Sequence, residues 1–264
     1  MQERYKDRRL YFNELANTSR DYYLDYTGDF LQISSETRVL EIGCGEGGNL
    51  APFAEKGCHV CGIDINGGQI QNARRFFEED GLKGTFIHSD FLSVTIPKTA
   101  ADQYDLILVH DVIEHIEPPY KLQFFEQMKS FMKPAGIAFF GFPAWQMPFG
   151  GHQQICKGRI SKIPFLHLLT EHTYRKLLER AGEESSTVEE LCSIKRSRMP
   201  VERFEKLVVQ SEMEVLKRTF WVINPHYKQK FHLMPLREVW PFNAIPYLRN
   251  FYTTSAWYLI RQRG

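Results

Sequence analysis

The sequence predicts an α/β fold built on a doubly wound, mostly parallel sheet, and three stretches predict it. Val39, Leu40 and Ile42 form a short apolar strand that runs into a turn with glycines at 43, 45, 47 and 48. His59 begins a second apolar strand that ends in Asp64, an acid placed about 20 residues beyond the glycines, as in nucleotide-binding sheets. Residues 104–109 are nearly all apolar, the pattern of a central parallel strand covered on both faces. At 264 residues and 43% hydrophobic composition, the chain can fill one large core or a core plus a sizeable insertion.

Residues 1–29 interleave tyrosines with Arg and Asp, and Leu10, Leu15 and Tyr22 share a helical stripe, so helices packed on the main domain are expected there. After the first strand, residues 49–56 read as a helix with Pro52 in its first turn and Gly57 as its stop. The second strand, 59–64, is followed by an amphipathic helix at 67–80, with Ile70, Ala73 and Phe77 on its apolar face. A third strand covers 85–88 and leads into Ser89-Asp90-Phe91. The fourth, 104–109, runs into His110-Asp111-Val112-Ile113-Glu114-His115. Pro118 and Pro119 introduce a helix at 120–132. Residues 133–136 read as a turn, and 137–142 as a fifth strand. The alternation then lapses over residues 144–199, where only a helix at 173–181 is legible. It resumes as a helix at 200–210 and strands at 214–223 and 255–261, the last expected to be antiparallel and at or near the sheet edge. The rival parse takes 173–181 as the core helix, but the later pair has the longer and more apolar strand.

Composition narrows the function classes. A net charge of +1 gives no global basic field and argues against nucleic acid as a partner. No apolar run approaches the roughly 18 residues of a membrane span, and no cationic and apolar leader opens the chain; a cytoplasmic protein is expected. Five scattered cysteines suit a reducing compartment. Cys58 and Cys61 form C-x-x-C, but no second ligand pair follows at zinc-site spacing. His110 and His115 lack the i, i+4 spacing of a metal-binding helix, so no metal site is expected.

The glycine turn does not name its ligand. Gly43, Gly45 and Gly48 satisfy a dinucleotide pattern, whereas Gly43, Gly45 and Gly47 satisfy the G-x-G-x-G pattern of S-adenosylmethionine (SAM) enzymes. Glu41 separates the two: a carboxylate beside the turn repels a pyrophosphate, while SAM carries no phosphate but does carry an ammonium and a sulfonium. The Glu-Ile-Gly-Cys-Gly-Glu-Gly turn, Asp64, Asp90-Phe91 and Asp111-Val112-Ile113-Glu114-His115 occur in register over residues 37–143. In these features the chain resembles the class I SAM-dependent methyltransferases, with the Asp-Val-Ile-Glu-His stretch similar to that of ubiquinone-pathway O-methyltransferases.

The resemblance implies a Rossmann-like, seven-stranded doubly wound sheet with its last strand antiparallel, N-terminal helices, and an insertion after strand 5. The expected organisation is a helical cap at 1–29, a SAM-binding core at 30–143, an insertion or substrate cap at 144–199, and the rest of the core at 200–264. It also implies the cofactor contacts. The turn supplies Glu41, Gly43, Cys44, Gly45, Gly47 and Asn49; Asp64 takes the ribose hydroxyls with Ile65 beside the adenine; Asp90 and Phe91 take the adenine edge; and His110 and Val112 lie near the methyl group. Tyr22, Tyr23 and Tyr26 are the expected contacts from the N-terminal segment, since aromatic faces suit a sulfonium. His110 and His152 are candidate general bases. The expected acceptor is a small organic molecule methylated on O or N, leaving S-adenosylhomocysteine (SAH). A protein or RNA methyltransferase, predicting an open basic surface around Lys157, Arg159, Lys162, Lys195, Arg196 and Arg198, and a non-catalytic SAM-binding protein are the alternatives.

Overall fold

A computed structural model describes residues 7–97 and 99–264. The N-terminal segment forms α1 (Arg8–Thr18), a π-helical turn (Ser19–Tyr23) and α2 (Leu24–Gly28). The sheet then alternates with helices: β1 (Arg38–Ile42), α3 (Ala51–Glu55), β2 (His59–Asp64), α4 (Gly67–Glu79), β3 (Thr85–His88), β4 (Tyr104–His110), α5 (Lys121–Phe131) and β5 (Met132–Phe142). Next come α6 (Glu171–Arg180), α7 (Ser185–Ser197), α8 (Val201–Gln210), β6 (Met213–Ile223), α9 (His226–Phe231), β7 (Leu236–Arg237) and β8 (Ser255–Gln262). Among the described residues no helix is long and apolar enough to cross a membrane.

The sheet order is β3-β2-β1-β4-β5-β8-β6-β7. Strands β1 to β5 pair in parallel, while β8 is antiparallel to both β5 and β6. Two expectations need correction. Among the described residues the sheet has eight strands, because the two-residue β7, too short to leave a periodic trace, pairs with β6. The antiparallel strand β8 is interior rather than at the edge: Ala256, Trp257, Tyr258, Leu259 and Ile260 are all buried. The segment 133–136, expected as a turn, lies inside β5, where the register against β4 shifts between Tyr104 and Leu106 and carries Pro134 and Ala135 out to solvent. This bulge accommodates a proline that cannot donate to the ladder.

Side chains alternate across the strands, so β4 sends Ile107 and Val109 to one face and Leu106 and Leu108 to the other. The first face packs Phe125 and Met128 of α5 and Phe204 of α8 against Phe140 and Tyr258. The second packs Phe12 of α1, Phe53 of α3 and Phe77 of α4 against Phe139 and Trp257. A third cluster, including Trp145, Tyr174, Leu178, Leu191 and Cys192, gives residues 145–194 a core of their own. Thus α8, not α6, covers the sheet. Helices α7 and α9 were not legible in the sequence.

Removing a ring that meets four others should be costly. Phe204 is fully buried and contacts the rings of Phe125, Phe140, Phe142 and Tyr258. Phe204→Ala should lower unfolding free energy by ~3–5 kcal/mol in urea titrations. Val209→Ala, on the 59% exposed side of the same helix, should change it by no more than about 0.5 kcal/mol.

Candidate functional site

The glycine turn owes its composition to close packing as well as to backbone conformation. Gly43 (φ +73°) would drive a Cβ to 2.3 Å from Val112 Cγ2, and Gly47 (φ +80°) to 2.8 Å from Phe86. At Gly48 the obstacle is α1, whose Phe12 carbonyl would lie 2.6 Å away. These glycines therefore let β1, β4 and α1 approach one another around the turn. Two acids then fix it. Asp64 accepts from the Gly45 N–H (2.8 Å) and from the Asn66 N–H (2.7 Å), while buried Glu46 accepts a bidentate bond from Arg8 (2.7 and 2.7 Å). Asn66 in turn caps α4 through Gly68 and Gln69.

A cavity of about 460 Å³ opens at the carboxyl ends of β1, β2 and β4, the position where doubly wound sheets bind ligands. Of the sequence-predicted residues it is lined by Gly43, Cys44, Gly45, Asn49, Asp64, Ile65, Asp90, Phe91, His110 and Val112. Five expected contacts, Glu41, Gly47, Tyr22, Tyr23 and Tyr26, are not in its lining. Glu41 sits one layer behind, 1% exposed, accepting from Asn49 Nδ2 at 2.7 Å. Gly47 is turned toward Phe86. Tyr22 is rotated away and stacks under Lys228 of α9. The π-helical turn swings its neighbour Tyr23 inward instead, against His110, Phe139 and Trp257, while Tyr26 packs under Phe139 and Trp257. The N-terminal residues that do line the cavity are Tyr11 and Leu15. Their signal was the same aromatic and apolar stripe, but only the helix phase decides which members face the hollow.

A second cavity of about 350 Å³ shares Tyr11, Gln69, Asp111 and His115 with the first and is further lined by His152, Gln154, Asn224, Tyr227 and Thr254. The candidate bases are therefore separated: His110 lines the first cavity and His152 the second. His110 has its Nδ1 3.5 Å from Asp111 Oδ2, while its buried Nε2 has no hydrogen-bond partner. His152, carried by the segment after β5, stands against His115 with ring centroids 4.9 Å apart. Asp111 (φ 54°) and His152 (φ 58°) both hold left-handed backbone, a conformation uncommon outside glycine that gathers at functional sites. Burial pulls His115 and His152 down from the ordinary histidine range, His152 against an upward pull from Asp111, and pushes buried Glu114 up with added repulsion from Asp111.

Residues 39–136 match a family described as a methyltransferase domain. The ubiquinone biosynthesis O-methyltransferase of Histophilus somni is 29% identical over 153 residues, covering 53% of this chain and 60% of that protein. The chain thus spans less than two thirds of that relative's length. Two solved structures share the fold: an S-adenosylmethionine-dependent methyltransferase from Clostridium acetobutylicum (TM-score 0.59, 12% identity, 94% of this chain and 92% of that one) and a magnesium protoporphyrin IX methyltransferase from Synechocystis with SAH bound (TM-score 0.55, 14% identity, 97% and 92%). Residues 39–136 therefore have the sequence of a methyltransferase domain, and the chain shares the fold of SAM-dependent methyltransferases.

The first cavity fits SAM, the cofactor that the sequence resemblance implies, on chemical grounds. Two buried acceptor oxygens, Asn49 Oδ1 in its lining and Glu41 Oε2 behind it, have no hydrogen-bond partner among the described residues. Unpaired buried acceptors are costly, and an ammonium supplies the missing donors. Asp64 and Asp90 add carboxylates at the ends of β2 and β3, which suits a cationic nucleoside lacking phosphate.

Burial, reinforced by Asp64, raises Glu41 to about 8 in the cofactor-free protein, against the lowering effect of its bond from Asn49; Tyr23 and Cys44 also feel its charge. The folded state thus holds a proton that the unfolded chain releases near pH 4.5. That contribution to stability is complete below the unfolded value and is lost as pH rises toward 8. Urea melts of the cofactor-free protein should therefore show stability declining between about pH 6 and pH 8, and Glu41→Gln should flatten the decline.

Proposed function

We propose that the chain transfers the methyl group of SAM to an oxygen or nitrogen of a small organic molecule, releasing SAH. The observation that carries this reading is the pair of adjoining cavities. One is walled by the glycine turn and the acids of β2 and β3, the other is polar and His-lined, and they meet at Tyr11, Gln69, Asp111 and His115. Volumes near 460 and 350 Å³ are of the size that holds small molecules. Gly43, Cys44, Gly45 and Asn49 would hold the aminoacyl end of the cofactor, with Glu41 behind them; Asp64 and Ile65 would hold the ribose and adenine, and Asp90 and Phe91 the adenine edge. The acceptor would enter beside His152.

Transfer is an in-line displacement. The acceptor lone pair forms the new bond to the methyl carbon as the carbon–sulfur pair returns to sulfur, turning a sulfonium into a neutral thioether. The protein's part is alignment and exclusion of water. A hydroxyl or ammonium acceptor must also lose a proton, and His110, which lines the first cavity, and His152, which lines the second, are candidate bases for it. A macromolecular acceptor is less well supported, because several of its expected basic groups are engaged. Lys157 pairs with Glu184, Arg196 with Glu171, and Lys195 donates to the carbonyls of His167 and Leu169.

Calorimetric titration should show one site for SAM and SAH. Asp64→Ala, which removes a charged acceptor and the tie to Gly45, should weaken SAH by ~10–100-fold. Release of SAH in the presence of a panel of hydroxylated and amino metabolites should identify the acceptor class. Absence of binding by both SAM and SAH would reject the cofactor assignment, and binding without turnover on any acceptor would favour a non-catalytic role.

A further inference from the structure

The spacing of His110 and His115 gives no metal motif, but the structure brings His115 together with Glu114 and His152. The turn after β4 carries Glu114 and His115, with the His115 N–H closing on the Val112 carbonyl at 2.9 Å. The turn after β5 carries His152, whose N–H closes on the Phe149 carbonyl at 3.0 Å. One ligand atom from each of Glu114, His115 and His152 lies within 4.8 Å of the other two. His115 Nε2 is 4.0 Å from Glu114 Oε1, and the two imidazoles stand perpendicular.

An independent observation points to an occupant. Glu114 is 3% exposed, and among the described residues neither of its carboxylate oxygens meets a hydrogen-bond partner. Lys121, the buried cation nearby, gives its own hydrogen bond to the Ile113 carbonyl at 2.5 Å. A fully buried carboxylate with both oxygens orphaned is a rare and costly arrangement unless something charged completes it. Asp111, whose charge acts on both Glu114 and His152, stands beside the group and lines both cavities.

We propose that Glu114, His115 and His152, with Asp111 beside them, bind a divalent transition-metal cation at the junction of the two cavities. Two imidazoles and a carboxylate form a donor set suited to manganese, iron or zinc and leave coordination positions open. Around such a cation the ligand atoms sit about 3–3.5 Å apart, a contraction that side-chain rotation can supply. His115 and His152 line the cavity assigned to the acceptor, so for its role the site rests on the methyl-transfer reading. A hydroxyl bound to the cation loses its proton to solvent more readily. The resulting oxygen anion keeps the electron pair that attacks the methyl carbon, while the carbon–sulfur pair goes to sulfur.

The test uses the full chain stripped by a chelator and titrated calorimetrically with manganese chloride and with zinc chloride, with SAH titrated in parallel. One equivalent of at least one cation should bind, and Glu114→Gln and His152→Ala should each weaken it by at least ~10-fold, as loss of even an outer-sphere partner does. SAH affinity should be the same in all three proteins. His152 lies on a half-buried turn, so H152A keeps the test decisive if E114Q does not fold. No saturable binding of either ion, or undiminished affinity in H152A, overturns the proposal. SAH binding without metal binding would sink the metal site and leave the methyltransferase reading standing; metal binding without SAH binding would do the reverse.

Discussion

The carboxylate of Asp64 holds the ends of two strands in one place. One oxygen receives the N–H of Gly45 from the turn after β1, and the other receives the N–H of Asn66 at the start of α4. Charge-assisted bonds of this kind are the stronger ones in a protein, and here both are made to backbone. The turn is then closed from above by the Arg8–Glu46 pair and by the α1 backbone lying on Gly48. The floor of the cavity is therefore shaped by the protein's own bonds. A ligand arriving there need not organise the loop, and the ordering cost is met during folding.

The same economy extends to the junction of the two cavities. Methyl transfer asks for little bond-making chemistry from a protein and a great deal of positioning. Two left-handed non-glycine residues, Asp111 and His152, stand at that junction on turns that follow adjacent parallel strands. Each carries a conformational cost of order 1 kcal/mol that the surrounding packing must sustain. Gly141 belongs to the same arrangement: the His110 ring lies where its Cβ would be, at 2.5 Å. Left-handed backbone and close packing are thus both present around the two cavities.

Much of this was readable from the chain, and the failures have physical causes. The strands were legible because burial on both faces leaves uninterrupted apolar runs, as in Leu106 to Val109. The acids at the ends of β2 and β3 were legible because the order of sheet, turn and acid is linear in sequence. The interior of residues 144–199 was not, since its core is assembled from side chains far apart in the chain, such as Trp145 and Cys192, around short turns. The choice of Tyr22 failed because a π-helical turn shifts the phase that an α-helical stripe assumes. His152 was named as a base, but its company with Glu114 and His115 depends on how two loops meet, which no local spacing records.

The interior place of β8 has a consequence for synthesis. Residues 255–262 supply the partner that both β5 and β6 require. On a ribosome β5 is complete more than a hundred residues before that partner emerges. Until then the nascent chain exposes unpaired strand edges at Phe139 and Phe140, which suits association with other chains as well as with β8. Strand β8, made after both of its partners, is the keystone of the sheet, and the chain cannot reach its native hydrogen bonding piecemeal from the N-terminus.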